Sequence, residues 1–132
     1  MSAELSWLLD QFVHDTVGVV HTVLLSDEGM KLAYDKSLDR DTADLLASMC
    51  TTWLTVSHQL EKLFDTGGPA LTASVDTPKL QLLAVGAGKH AILATVAKSE
   101  ADPGIVGTAM AQLVERVADH LSVPPRSPQA PS

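Results

Sequence analysis

The first pattern along the chain is helical. Leu5, Leu8, Leu9 and Phe12, with Val13 beside them, recur at i, i+3, i+4 and i+7 and predict an amphipathic helix that ends at Gly18. Ser2 supplies a candidate N-cap. From Val19 to Ser26 the period shortens to two. Val19, Val23 and Leu25 fall on one face and Val20 and Leu24 on the other, so this strand is expected to be central and covered on both sides. Asp27-Glu28-Gly29 predicts a tight turn, with Gly29 free to take positive φ. Lys31 to Lys36 alternates Leu32 and Tyr34 against Lys31, Ala33 and Asp35, a half-buried strand whose charges suit a sheet edge.

A second helix is expected to begin at Asp39, a good N-cap, with Asp41 and Asp44 near the favourable end of the helix dipole. It can run to about Asp65, where Gly67-Gly68-Pro69 stops it. Its apolar positions are Leu45, Leu46, Met49, Cys50, Trp53, Val56, Leu60, Leu63 and Phe64. They cover about half the helix circumference, wider than the ~100° stripe that a core alone requires. Within this helix, residues 45–60 (LLASMCTTWLTVSHQL) carry no charged side chain. Where a surface helix would show Lys, Glu, Arg or Asp, it offers Ser48, Thr51, Thr52, Thr55, His58 and Gln59. Another protein can cover neutral polar groups with little desolvation penalty, whereas unpaired charges resist it. The helix is therefore predicted to hide two faces rather than one.

Three strands follow. Ala70 to Asp76 sets Leu71, Ala73 and Val75 against Thr72 and Ser74, with no Lys, Glu or internal Pro to guard it as an edge. Thr77-Pro78-Lys79 turns into Leu80 to Val85, and Gly86-Ala87-Gly88-Lys89 turns into His90 to Val96, which is apolar on both sides and hence central. Asp102-Pro103 reads as an N-cap with Pro at the first helical position. Ile105, Val106, Ala109, Leu113, Val114, Val117 and Leu121 are the expected buried face of a third helix. The order is α-β-β-α-β-β-β-α, an α/β chain of α+β type. Its short inter-strand turns require antiparallel pairing, and helices should cover both sides of the sheet's middle. Residues 1–122 are expected to form one domain. The tail, residues 123–132 (VPPRSPQAPS), has four Pro in ten residues and is expected to be disordered.

Composition narrows the function classes. A length of 132 residues suits one domain, and 45% hydrophobic with 19% charged residues suits a globular one. The net charge of −7, without a Lys/Arg cluster, argues against nucleic acid or an anionic membrane as partner. Cys50 stands alone, so no disulfide framework is expected. The start, MSAELSWLLDQF, lacks the positive charge of a signal peptide, and no stretch is long and apolar enough to span a bilayer. The cytoplasm is the expected location.

Candidate chemistry is sparse. His14, His21, His58, His90 and His120 fall on different elements without zinc-ligand spacing. His21 is expected to be packed or hydrogen-bonded, and His58 to be a neutral polar residue at an interface. No base stands near Cys50, which reads as a small buried hydrophobe. Gly86-Ala87-Gly88-Lys89 lacks the flanking helix and following Ser/Thr of a phosphate loop and reads as a hairpin turn. Asp39, Asp41 and Asp44 suit helix capping better than a calcium loop. Trp53, Met49 and Leu60 read as core or dimer contacts rather than a ligand groove. No catalytic, metal or cofactor site is expected.

The order of elements, with LSWLLDQFVHDTVGVVHTVLLSDEGMKLA (residues 5–33), AGKHAILATVA (residues 87–97) and ADPGIVGTAMAQLVERVADHL (residues 101–121), resembles the roadblock/dynein light chain family. It is most similar to the bacterial conservon subgroup, encoded beside a Ras-like GTPase and a histidine-kinase-like protein. The resemblance implies a five-stranded antiparallel sheet with helix two on one face and helices one and three on the other. It also implies homodimers that pair their third strands and set their second helices side by side. Met49, Trp53, Val56, Leu71, Ala73 and Val75 would then serve the dimer. Ser48, Thr51, Thr55, His58 and Gln59 would meet a Ras-like small GTPase or be taken up by the dimer contact itself, two uses that the sequence does not separate, with recruitment to a membrane through a partner. Family members that speed GTP hydrolysis do so without an arginine finger, so Arg40 is given no such role. A small-molecule-sensing domain is the alternative and would need a cavity between sheet and helix. An enzyme ranks last.

Overall fold

The computed structural model describes residues 3–68, 72–87 and 90–122. Ser2, Leu71 and the tail at residues 123–132 lie outside them. The elements are α1 (Ala3–Asp15), β1 (Val19–Ser26), β2 (Lys31–Tyr34), α2 (Arg40–Leu63), β3 (Thr72–Asp76), β4 (Leu80–Gly86), β5 (Ala91–Lys98) and α3 (Pro103–Ser122). The strands form a single sheet in the order β2-β1-β5-β4-β3, and all neighbours are antiparallel. β1 and β5, apolar on both faces, are interior. β2, with its charges, is one edge, and the unguarded β3 is the other.

Two cores sandwich the sheet. Leu5, Leu8, Leu9 and Phe12 of α1 and Val106, Met110, Leu113 and Val117 of α3 pack on Leu24 and Leu93. On the opposite face, Ala43, Ala47 and Cys50 of α2 pack on Val23, Leu25, Leu82 and Ala94. The N-caps form as expected. The Asp39 carboxylate accepts from the Thr42 amide at 3.1 Å, and the Asp102 carboxylate accepts from the Gly104 amide at 2.8 Å. Asp10 of α1 accepts from the Lys36 amide at 2.7 Å and pins the connection from β2 to α2.

Several sequence expectations are corrected. The β1–β5 register shifts between Val19 and His21, and this bulge turns Val19 to the α1/α3 face, on the side of Leu24 instead of Val23 and Leu25. A second shift between Leu24 and Leu25 opposes three residues of β2 to two of β1. Leu32 and Ala33 both reach the α1/α3 core as a result, and Lys31 shares the α2 face with Tyr34. Strict alternation cannot anticipate an extra residue. In α3, Ile105 is 62% exposed, because it lies about 100° around the helix from the Val106, Met110, Leu113, Val117 stripe. Met110, absent from the expected face, is fully buried. α2 ends at Leu63, since Phe64 is extended while its amide still bonds the Leu60 carbonyl.

Polar groups inside are paired. Thr22 Oγ1 donates to the Ala94 carbonyl and meets Thr95 Oγ1 across β1 and β5. Gln81 Nε2 donates to the carbonyls of Lys98 and Ala101. Among the described residues, every fully buried side-chain nitrogen or oxygen has a hydrogen-bond partner.

Candidate protein-interaction surface

α2 meets the sheet through small side chains. Ala43, Ala47, Cys50 and Ser57 are its buried residues, with Leu46 and Trp53 half-buried beside them. This seat lets the helix approach the sheet closely and leaves its larger aliphatic residues elsewhere. Leu45, Met49, Val56 and Leu60 are 64%, 54%, 52% and 45% exposed. At 100° per residue they form a stripe roughly 120° around the helix from the core-facing one. Ser48, Thr51, Thr55, His58 and Gln59 form a third stripe, roughly 120° from each of the others. The two sets proposed from the sequence, one apolar and one polar, thus lie on different sides of α2.

The polar stripe faces the β2 edge. Lys31 of β2 pairs with Asp44 at 2.8 Å, and a Cβ on Gly29 would stand 2.1 Å from the Thr51 methyl carbon. The hairpin tip therefore touches the middle of α2. The stripe also satisfies its own hydroxyls, as Thr51 donates to the Ser48 carbonyl at 2.6 Å and Thr55 to the Thr51 carbonyl at 3.1 Å. The donors of these threonines are thus taken up by the helix backbone, and the Thr51 methyl group faces Gly29.

The apolar stripe faces the other end of the sheet. There Val75 of β3 pairs with Leu82 and Ala73 with Ala84, whose side chains lie in the α2 core. Val75 and Leu80 are exposed on this face, and Ala73 is half-buried. Trp53 packs at the boundary between the core and the stripe. The product is an apolar trough along one side of α2, ending at the open edge of β3.

Other candidate groups are dispersed. Burial pushes the Cys50 thiol up to about 11, so it is protonated at neutral pH. His21 Nδ1 lies 3.0 Å from the buried Asp35 carboxylate, which also accepts from Ser37 and from the Thr22 amide. Ser37 and Asp35 approach the same ring nitrogen, so this cluster is a knot between β1 and β2 and not a serine relay. His14, His90 and His120 pair with Asp15, Asp27 and Glu4 at separate surface positions, and His58 is exposed on α2. Among the described residues, no group of three or more His, Cys, Asp or Glu could hold a metal ion. A recess of about 340 Å³ lies beside β3 and α3, lined by residues including Thr72, Ser74, Leu83, Gly107 and Met110. It opens to the surface and is not a closed chamber between sheet and helix.

The model of the Roadblock/LC7 domain matches residues 5–97. The chain belongs to the Roadblock/LC7 family. A Roadblock/LC7 domain from Streptomyces avermitilis is 29% identical, with a TM-score of 0.82 over 89% of this chain and 98% of that one. Myxococcus xanthus MglB shares the fold at 14% identity, with a TM-score of 0.78 over 90% of this chain and 95% of that one. Profilin IA of Acanthamoeba castellanii is similar in fold at 12% identity and a TM-score of 0.59, over 87% of this chain and 97% of that one. No curated protein matches the sequence. As a Roadblock/LC7 domain the chain is a protein-interaction module. Among its described residues, no helix is long and apolar enough to cross a membrane.

Sequence reasoning pooled all the apolar positions of α2 into one broad face and did not single out Leu80. The missing signal was the placement of Ala43 and Ala47. Projected with Cys50, they mark the true core stripe and leave Leu45, Met49, Val56 and Leu60 as a separate one.

Proposed function

We propose that the chain is a non-catalytic homodimeric scaffold that binds a Ras-like small GTPase in a bacterial signalling complex. In this reading Met49, Trp53, Val56, Ala73 and Val75, joined by Leu45, Leu60 and Leu80, make the self-contact. Leu71, outside the described residues, belongs to the same sequence pattern. Ser48, Thr51, Thr55, His58 and Gln59 remain for the GTPase. The observation that carries the proposal is the exposed aliphatic stripe of α2 beside an open sheet edge.

The stripe is also suited to a second copy of itself. Met49 and Leu60 stand equally far from the middle of the Leu54–Thr55 bond, as do Trp53 and Val56. An antiparallel copy of α2 therefore sets each residue against its mate. A C2 contact requires this self-complementarity.

Val56→Glu tests the self-contact. It should raise the dimer dissociation constant by about 100-fold or more, since a carboxylate replaces a buried aliphatic group. Sedimentation of natural and variant chains at matched concentrations reads this directly, and a natural chain that stays monomeric overturns the proposal. Thr55→Glu tests the second surface. It should leave the dimer intact and weaken binding of the Ras-like GTPase encoded beside this chain, loaded with GTP or GDP. Unchanged binding would remove the polar stripe from the assignment.

A further inference from the structure

We infer that the tip of the β1–β2 hairpin extends the polar stripe of α2 into a docking surface for a cationic, amphipathic segment of a protein partner. The inference rests on the scaffold reading only in taking α2 as the partner-facing element. Its basis is the hairpin itself.

The tip carries Asp27, Glu28, Gly29 and Met30. Met30 is 66% exposed, a large flexible side chain in water at the end of a turn. Asp27 and Glu28 precede it in the turn and both are exposed; Asp27 lies 3.0 Å from His90 Nδ1, and Glu28 is the carboxylate nearest the knob in sequence. The nearby cation on β2 is already engaged, because the Lys31 ammonium pairs with Asp44 and lies 5.2 Å from the centroid of the Tyr34 ring. The tip thus presents an apolar knob with negative charge beside it.

Position joins the tip to α2. Gly29 has φ +88 and sits so close to Thr51 that no Cβ fits between them. Ser26 fixes the turn, with its hydroxyl accepting from the Glu28 amide at 3.3 Å and from the Met30 amide at 3.1 Å. The Ser26 amide in turn donates to the Met30 carbonyl at 2.8 Å. The tip is therefore ordered before a partner arrives, which limits the entropy lost on docking. Beside it, Thr51 and Thr55 keep their donors for the helix backbone, so a partner meets hydroxyl acceptors there rather than free donors.

Charge complementarity selects the occupant. Acceptors and carboxylates around an exposed Met fit Lys or Arg side chains on a segment that also carries an aliphatic face. The chain's net charge of −7 adds long-range attraction for a basic partner. The same field repels nucleic acid and anionic lipid.

Titrating the isotopically labelled full-length chain with a synthetic Lys/Leu amphipathic peptide, and separately with its Glu/Leu counterpart, tests this. The basic peptide should shift the amides of Glu28, Met30, Thr51 and Thr55. Its binding should weaken as salt rises from about 50 to about 300 mM. Glu28→Lys and Met30→Ser should each weaken it by about fivefold or more, while the amide spectrum away from the turn stays unchanged. The inference is overturned if the acidic peptide binds as well, if the shifts map elsewhere, if no peptide binds, or if both variants bind normally. Sedimentation of the Val56→Glu chain reports separately on the scaffold reading, so either idea can fail alone.

Discussion

Asp39 is held by two groups of Thr42. The hydroxyl and then the amide lower its pKa from the ordinary carboxylate value. A carboxyl depressed by folding contributes stability above its unfolded pKa and loses it as pH falls through the folded one. Asp39→Ala should therefore lower the thermal midpoint by a few degrees at neutral pH and progressively less in acid, while Asp39→Asn keeps most of the cap. Thermal unfolding across an acidic pH series checks both. His120 behaves in the opposite sense. Its hydrogen bond to the Arg116 carbonyl, then the nearby Glu4, raise its pKa. Its contribution is present in full below the unfolded value near 6.5 and is lost as pH rises through the folded one. An NMR titration should place the His120 ring above an ordinary histidine, and Glu4→Gln should lower it. Cys50, with its thiol near 11, should resist a disulfide reagent at about pH 8 until the chain unfolds. Much at this scale was readable in advance. The caps at Asp39 and Asp102 and the inert Cys50 follow from residue type and neighbours alone. The partner of His21 did not, because it lies fourteen positions away across a strand pair that only folding brings together.

Element boundaries follow the hydrophobic period closely, and the departures in the strands share one cause. Each bulge inserts a residue that changes which face the next side chain meets, so Val19 and Leu32 go where alternation does not send them. Gly29 is where elements interlock. It combines positive φ with a Thr51 methyl carbon that would stand 2.1 Å from any Cβ placed there. Gly29→Ala should cost about 2 kcal/mol or more in chemical unfolding, combining a left-handed backbone with a steric clash. Adding Thr51→Ser removes that methyl group and should recover part of the loss, leaving the backbone share. A double-mutant cycle separates the two, and strict additivity would show that the contact carries nothing.

For the whole molecule, the asymmetry of the α2 layer matters most. One long helix covers the β2–β1 half, while Val75 and Leu80 at the far end of the same face stay exposed. If a second copy covers them, stability depends on concentration. The thermal midpoint of the natural chain should then climb with protein concentration, and that of Val56→Glu should not. The uncharged run at residues 45–60 and the unguarded strand at Ala73 and Val75 already pointed to this side of the molecule. The division of α2 into separate apolar and polar stripes was harder to read, because it depends on which small residues the sheet accepts.

The open rim at Thr72–Asp76 has a consequence for handling the protein. A newly made subunit carries unsatisfied backbone donors and acceptors along that rim, with aliphatic side chains close by. Left open, that rim is a place where any extended stranger chain can add. If a second copy closes the rim, dilute, slow refolding lengthens the hazardous interval, and swift encounter between two copies shortens it.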